Sequence, residues 1–136
     1  MIEIAIDGPA ASGKGALGKK LSDKYNFPYL DTGILYRKVA YELIKNNIKN
    51  SENLEILCCN FAKNLNLKEF KNKNLRTEDV AKLASKIAIF PNLRKILNNK
   101  QKEFSNFNKK QFGGCILDGR DIGTTILPNA DFKFFI

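Results

Sequence analysis

Residues 2–21 read IEIAIDGPAASGKGALGKKL, and no other stretch restricts the fold as tightly. Alternating, β-branched IEIAID predicts a strand, and Gly8-Pro9 ends it. Residues 14–25 read as a helix with Leu17 and Leu21 on one side. Between strand and helix, Gly8-x-x-x-x-Gly13-Lys14 has the spacing of a phosphate-binding loop. Its glycines let the backbone curl until successive N–H groups face one anion, helped by the positive end of the helix dipole. Lys14 adds a mobile point charge for the outer phosphates. The stretch predicts binding of a nucleoside triphosphate.

The rest of the chain continues the alternation. FPYLDTG reads as a short strand and turn, followed by a helix from about Ile34 to Lys45 with Leu35, Val39 and Leu43 spaced by four. Residues 46–75 are polar and asparagine-rich, with apolar islands LEILCC and LNLKEF; a small inserted subdomain is expected here. RTEDVAKLASKIAIF is an amphipathic helix, capped by Thr77, with Glu78 and Asp79 in its first turn and Val80, Leu83, Ala84 and Ile87 facing inward. Pro91 breaks it, and residues 92–104 make the next helix. GGCILDGRDIG predicts a strand and a polar turn, and DFKFFI a last strand. Strands alternating with helices imply an α/β fold, a parallel sheet flanked by helices, in one domain over 1–136.

Composition removes several chemistries. There is no histidine, and the three cysteines (Cys58, Cys59, Cys115) lack CxxC spacing, which argues against a zinc site or a His-activated nucleophile. Reduced thiols, no membrane-length apolar run and no secretory signal at MIEIAIDG give a cytoplasmic expectation with no membrane partner. The net charge of +9 comes largely from lysines mingled with asparagine and isoleucine, with no basic stripe interleaved with aromatics. Nucleic acid is therefore not an expected partner, and a monomer is the expected state.

Glycine at position 15, where GTPases and motor ATPases carry Ser or Thr, makes GPAASGKG similar to the loop of nucleoside monophosphate kinases. IDGPAASGKG, YLDTGILYR, RTEDVAKLASKIAIFPNLR, LDGRDIGT and PNADFKFFI, in that order, resemble bacterial cytidylate kinases along essentially the whole chain. The resemblance implies a P-loop kinase with an inserted monophosphate-binding subdomain at about 46–105 and strand order 2-3-1-4-5, FKFFI being the fourth strand. It implies transfer of the γ-phosphoryl group of ATP to CMP, and to dCMP, giving CDP and ADP. Such transfer needs no side-chain base, because the acceptor oxygen is already anionic; positioning and charge neutralisation do the work.

By the same resemblance, Gly8, Pro9, Ala10, Ala11, Ser12, Gly13, Lys14, Gly15 and Ala16 hold ATP, with Lys14 and Arg120 catalytic. Asp31, Thr32, Arg37, Ser85, Arg94, Arg120 and Asp121 hold CMP. Arg37 and Arg120 take the acceptor phosphate, which suits arginine's bidentate fork. Cytosine presents an amino donor beside the N3 and O2 acceptors, so a carboxylate next to a cation reads it: Asp121 with Arg94, joined by Ser85. Arg76 reads as a surface charge, and Asp31–Thr32 also as a helix cap. Mg2+ is expected to enter through ATP and water rather than a protein ligand set.

Three departures stand beside these matches. Ala16 replaces the threonine usual after GKG, Ile34 adds bulk beside the acceptor site, and the matching sequence stops before the family's lid arginines and last core strand. A truncated, non-catalytic nucleotide-binding remnant and a different small-molecule P-loop kinase are the alternative readings.

Overall fold

The computed structural model describes residues 1–48, 52–67 and 73–136. Island LNLKEF (65–70) lies partly outside the described residues. In chain order the elements are β1 (Ile2–Asp7), α1 (Lys14–Tyr25), β2 (Tyr29–Asp31), α2 (Gly33–Lys45), α3 (Leu54–Lys63), α4 (Glu78–Ile87), α5 (Pro91–Phe112), β3 (Gly114–Gly119) and β4 (Phe132–Phe135). A short 3-10 turn spans Lys73–Arg76, and a single π-type turn spans Ile122–Ile126. The chain forms two compact units, 1–32 with 100–136, and 33–99.

The first unit holds one four-stranded, all-parallel sheet in the order β2-β3-β1-β4, the order that the resemblance implies for these four strands. Parallel neighbours need crossovers rather than hairpins, which is why helices intervene between β1, β2 and β3. β3 is buried at every residue, and its apolar stretch Cys115–Leu117 suits an inner parallel strand. Ile4, Ile6 and Ile116 form a core cluster on which Leu17, Leu21, Phe27 and Tyr29 pack, so the predicted apolar side of α1 is the one that faces the sheet. β4 is exposed at all four positions, and β1 is its one partner among the described residues. Phe132 and Phe135 on it are 53% and 68% accessible.

In the second unit α2 packs on α3 and α4. Leu35, Val39 and Leu43, the four-spaced stripe of α2, are fully buried. The hydroxyl oxygen of Thr77 accepts from the Val80 amide at 3.4 Å, which caps α4 as its sequence requires. Val80, Ala84 and Ile87 are buried and Leu83 is half-buried. α5 corrects the expectation of a helix over 92–104, because it runs to Phe112. Its buried positions keep the four-residue spacing but change chemistry: Leu93 and Leu97 are followed by Gln101 and Ser105. The Ser105 hydroxyl donates to Glu3 at 2.6 Å, and Lys109 meets the same carboxylate at 3.2 Å. Polar partners thus replace apolar packing over the last turns.

Candidate nucleotide site

The loop between β1 and α1 has the backbone a phosphate cradle needs. Gly13 lies at φ 92°, a conformation that favours glycine, and Ala11 is also left-handed at φ 58°. Gly13 caps α1 without a side-chain hydrogen bond. The Leu17 amide makes the bond that starts the helix, to the Gly13 carbonyl at 3.1 Å. The amides at 14, 15 and 16 therefore precede the helical ladder. Lys14 folds back over the loop, and its Nζ donates to the Pro9 carbonyl at 3.3 Å. Ser12 Oγ is buried without a hydrogen-bond partner. Cation, orphan hydroxyl and helix start are the donor set for a polyphosphate.

Three strands end beside this loop in the same residue type. β1 closes on Asp7, β2 on Asp31, and β3 carries Asp118 one position before its end. Asp31 and Asp118 are register partners across β2 and β3. Carboxyl ends of parallel strands are where open α/β sheets bind ligands. The three carboxylates are used differently. Asp7 is buried, and its two oxygens accept from the Ile122 and Gly123 amides at 2.7 and 2.8 Å, so it anchors the π-type turn. One oxygen of Asp118 accepts from the Tyr29 hydroxyl, while Oδ1 is buried with no hydrogen-bond partner. Burial, then the neighbouring Asp31 charge, push the Asp118 carboxyl up to about 6 against the opposing pull of the Tyr29 hydroxyl and Lys14. Thr32 is also committed to β3: its amide and its hydroxyl both donate to the Asp118 carbonyl, at 3.0 and 2.8 Å.

The residues that sequence reasoning selected fall into both units. Gly8 to Ala16, Asp31, Thr32, Arg120 and Asp121 lie in the first, with Arg120 exposed and Asp121 half-buried. Arg37, Ser85 and Arg94 lie in the second; Ser85 and Arg94 are exposed, and Arg94 donates to the Ala88 carbonyl at 3.2 Å. Ile34, read as bulk beside the acceptor site, has a buried side chain. Asp7, Tyr29 and Asp118 were not selected. The signal for them was present in IEIAID, YLD and CILD, apolar runs that each close on an aspartate.

A parallel sheet flanked by helices, with a GPAASGKG loop after its first strand, is the fold of a P-loop kinase. Comparison with known proteins narrows this. The cytidylate kinase family model matches residues 4–136, and the chain belongs to that family. It is 44% identical over 133 residues to the cytidylate kinase of Bartonella tribocorum, 43% to that of Methylocella silvestris and 42% to that of Bradyrhizobium diazoefficiens. Each match covers 98% of this chain and 59–60% of the relative, so the chain spans about three-fifths of the length of the proteins it matches.

Proposed function

We propose that the protein carrying this chain is a cytidylate kinase that moves the γ-phosphoryl group of ATP onto CMP or dCMP. The observation that carries the ATP half is the loop itself. A left-handed Gly13, an uncapped helix start, Lys14 and the orphan Ser12 hydroxyl converge beside the ends of three parallel strands. The acceptor half rests on family membership and on the residue types at Arg37, Ser85, Arg94, Arg120 and Asp121.

The transfer forms one P–O bond and breaks another. An oxygen of the CMP phosphate attacks the γ-phosphorus of ATP, and the bond to the β-bridging oxygen breaks to release ADP. Lys14 and the loop amides balance charge on the donor phosphates. Arg37 and Arg120 hold the acceptor phosphate in line, Asp121 accepts from the cytosine amino group, and Arg94 donates to N3 and O2. Uracil reverses the hydrogen-bonding character at the exocyclic and N3 positions, and mismatches of that kind discriminate strongly. Asp31 and Thr32 border the acceptor site, as the family resemblance implies. The insert read at about 46–105 is the monophosphate-binding part.

Magnesium fits the same place, because the carboxylates of Asp118 and Asp31 are register partners there and Asp118 Oδ1 receives no N–H or O–H donor. Among the described residues no three His, Cys, Asp or Glu side chains gather to hold an ion unaided. One or two carboxylates completed by nucleotide phosphates is the usual arrangement for this cation. Asp118, with Asp31 beside it, would hold it, and when bound it neutralises charge on the β- and γ-phosphates. Among the described residues no helix is long and apolar enough to cross a membrane. A cytoplasmic monomer acting on small molecules, without nucleic acid, completes the reading.

The test is radiolabelled ATP with CMP, dCMP, UMP or AMP as acceptor. Label in CDP and dCDP, lost in Lys14→Ala, supports the proposal. Preference for UMP or AMP points to a different P-loop kinase, and nucleotide binding without transfer points to a non-catalytic remnant.

A further inference from the structure

Helix α1 carries Gly15 in its first turn and Gly18 one turn on, although a glycine inside a helix costs about 1 kcal/mol relative to alanine. Such positions need a packing reason, and Tyr29 supplies it. A Cβ at Gly18 would come within 3.0 Å of Cδ1 and Cζ of the Tyr29 ring, and closer still to Cε1. A Cβ at Gly15 would lie 3.7 Å from the Tyr29 hydroxyl oxygen. The ring therefore lies along the bare face of α1, with its hydroxyl beside the residue that follows Lys14. That hydroxyl donates to Asp118.

We propose that Tyr29 is a positioning residue for the metal: seated on the Gly15–Gly18 face, it ties down one oxygen of Asp118 and leaves Oδ1 turned to the magnesium of the bound nucleotide. The inference rests on the nucleotide reading above. Three features that look unrelated in sequence then have one explanation. Glycine stands where many phosphate loops place a hydroxyl, a second glycine follows one turn on, and a tyrosine opens the strand that ends in Asp31. A carboxylate with both oxygens free could rotate out of reach or turn to Lys14. One anchored oxygen removes that freedom, as outer-shell partners do for metal ligands generally.

The experiment is equilibrium binding of ATP to the purified chain with EDTA and with saturating Mg2+, for wild type, Tyr29→Phe, Asp118→Asn and the double variant. Circular dichroism melts verify folding. Phenylalanine keeps the ring on its glycine floor and removes only the hydroxyl. The expected result is unchanged ATP affinity in EDTA and a roughly tenfold loss of the magnesium-dependent gain, the scale on which outer-shell partners act. Asp118→Asn loses at least as much, and adding Tyr29→Phe to it costs nothing further, because the tyrosine acts through that carboxylate. Wild-type ATP binding with full magnesium dependence retained in Tyr29→Phe overturns the role of Tyr29 alone. Additive losses in the double variant do the same. A folded wild type that binds no ATP overturns the nucleotide reading, and this inference with it.

Discussion

Alanine at Gly15 and alanine at Gly18 should shift stability in opposite directions, although both replace a glycine in the same helix. Gly18→Ala recovers interior helix propensity of about 1 kcal/mol, and Gly15→Ala, in the first turn of α1, up to that amount. At Gly15 the new methyl meets the Tyr29 hydroxyl at 3.7 Å, an ordinary contact, so the gain is kept. At Gly18 it lands on the ring, at 3.0 Å from two ring carbons and nearer to a third. The ring cannot easily yield, since the sheet cluster backs it and its hydroxyl is held by Asp118. Forcing a methyl into such a contact costs about 1–3 kcal/mol. The propensity term largely cancels between the variants, so their difference isolates the overpacking: Gly15→Ala should exceed Gly18→Ala by about 1–3 kcal/mol. Urea denaturation with matched slopes measures it. In a Tyr29→Ala background the clash is gone and the gap should close. Equal stabilisation by both alanines would refute the seating of Tyr29 on α1.

Asp118→Asn in metal-free buffer should stabilise the chain above pH 6 and do nothing near pH 3. Below 3.8 the carboxyl is protonated in both states, whereas above about 6 the fold must carry an ionised, buried group. A rise from 3.8 to about 6 corresponds to roughly 3 kcal/mol, and a variant effect that does not change with pH contradicts it. Burial pushes the thiols of Cys58 (to about 11), Cys59 and Cys115 upward, so a chromogenic disulfide reagent at pH 8 should react slowly until denaturant is added. Rapid reaction of all three in the native chain would contradict the burial. Phe135→Lys on exposed β4 should reduce light scattering at high protein concentration with little change in stability, because the side chain is 68% accessible and the strand lies at the sheet edge. A loss above about 1 kcal/mol would show that the phenylalanine packs.

Much of the fold is legible because local chemistry agrees with the tertiary demand. The four-spaced stripe of α2, the Thr77 cap of α4 and the strand–loop–helix of residues 2–21 are each what the finished structure needs at that place. The last turns of α5 are not legible, since Gln101 and Ser105 continue the buried stripe with polar side chains and apolar periodicity disappears. The same limit applies at the site. GPAASGKG announces itself within eight residues, but Asp118 and Asp31 are neighbours only through the register of β2 and β3. The use made of Tyr29 depends on which face of α1 its ring meets, a tertiary fact that no local pattern carries. The roles proposed for Arg37, Ser85, Arg94, Arg120 and Asp121 rest on resemblance and on their residue types.

The most direct test of the account is a calorimetric titration of CMP, with UMP as control, into the chain after circular dichroism has verified its folding. The account predicts heat with CMP and none with UMP, and loss of that heat in Asp121→Ala and Arg94→Ala. A folded sample that gives no heat with CMP, or equal heats with CMP and UMP, would contradict it.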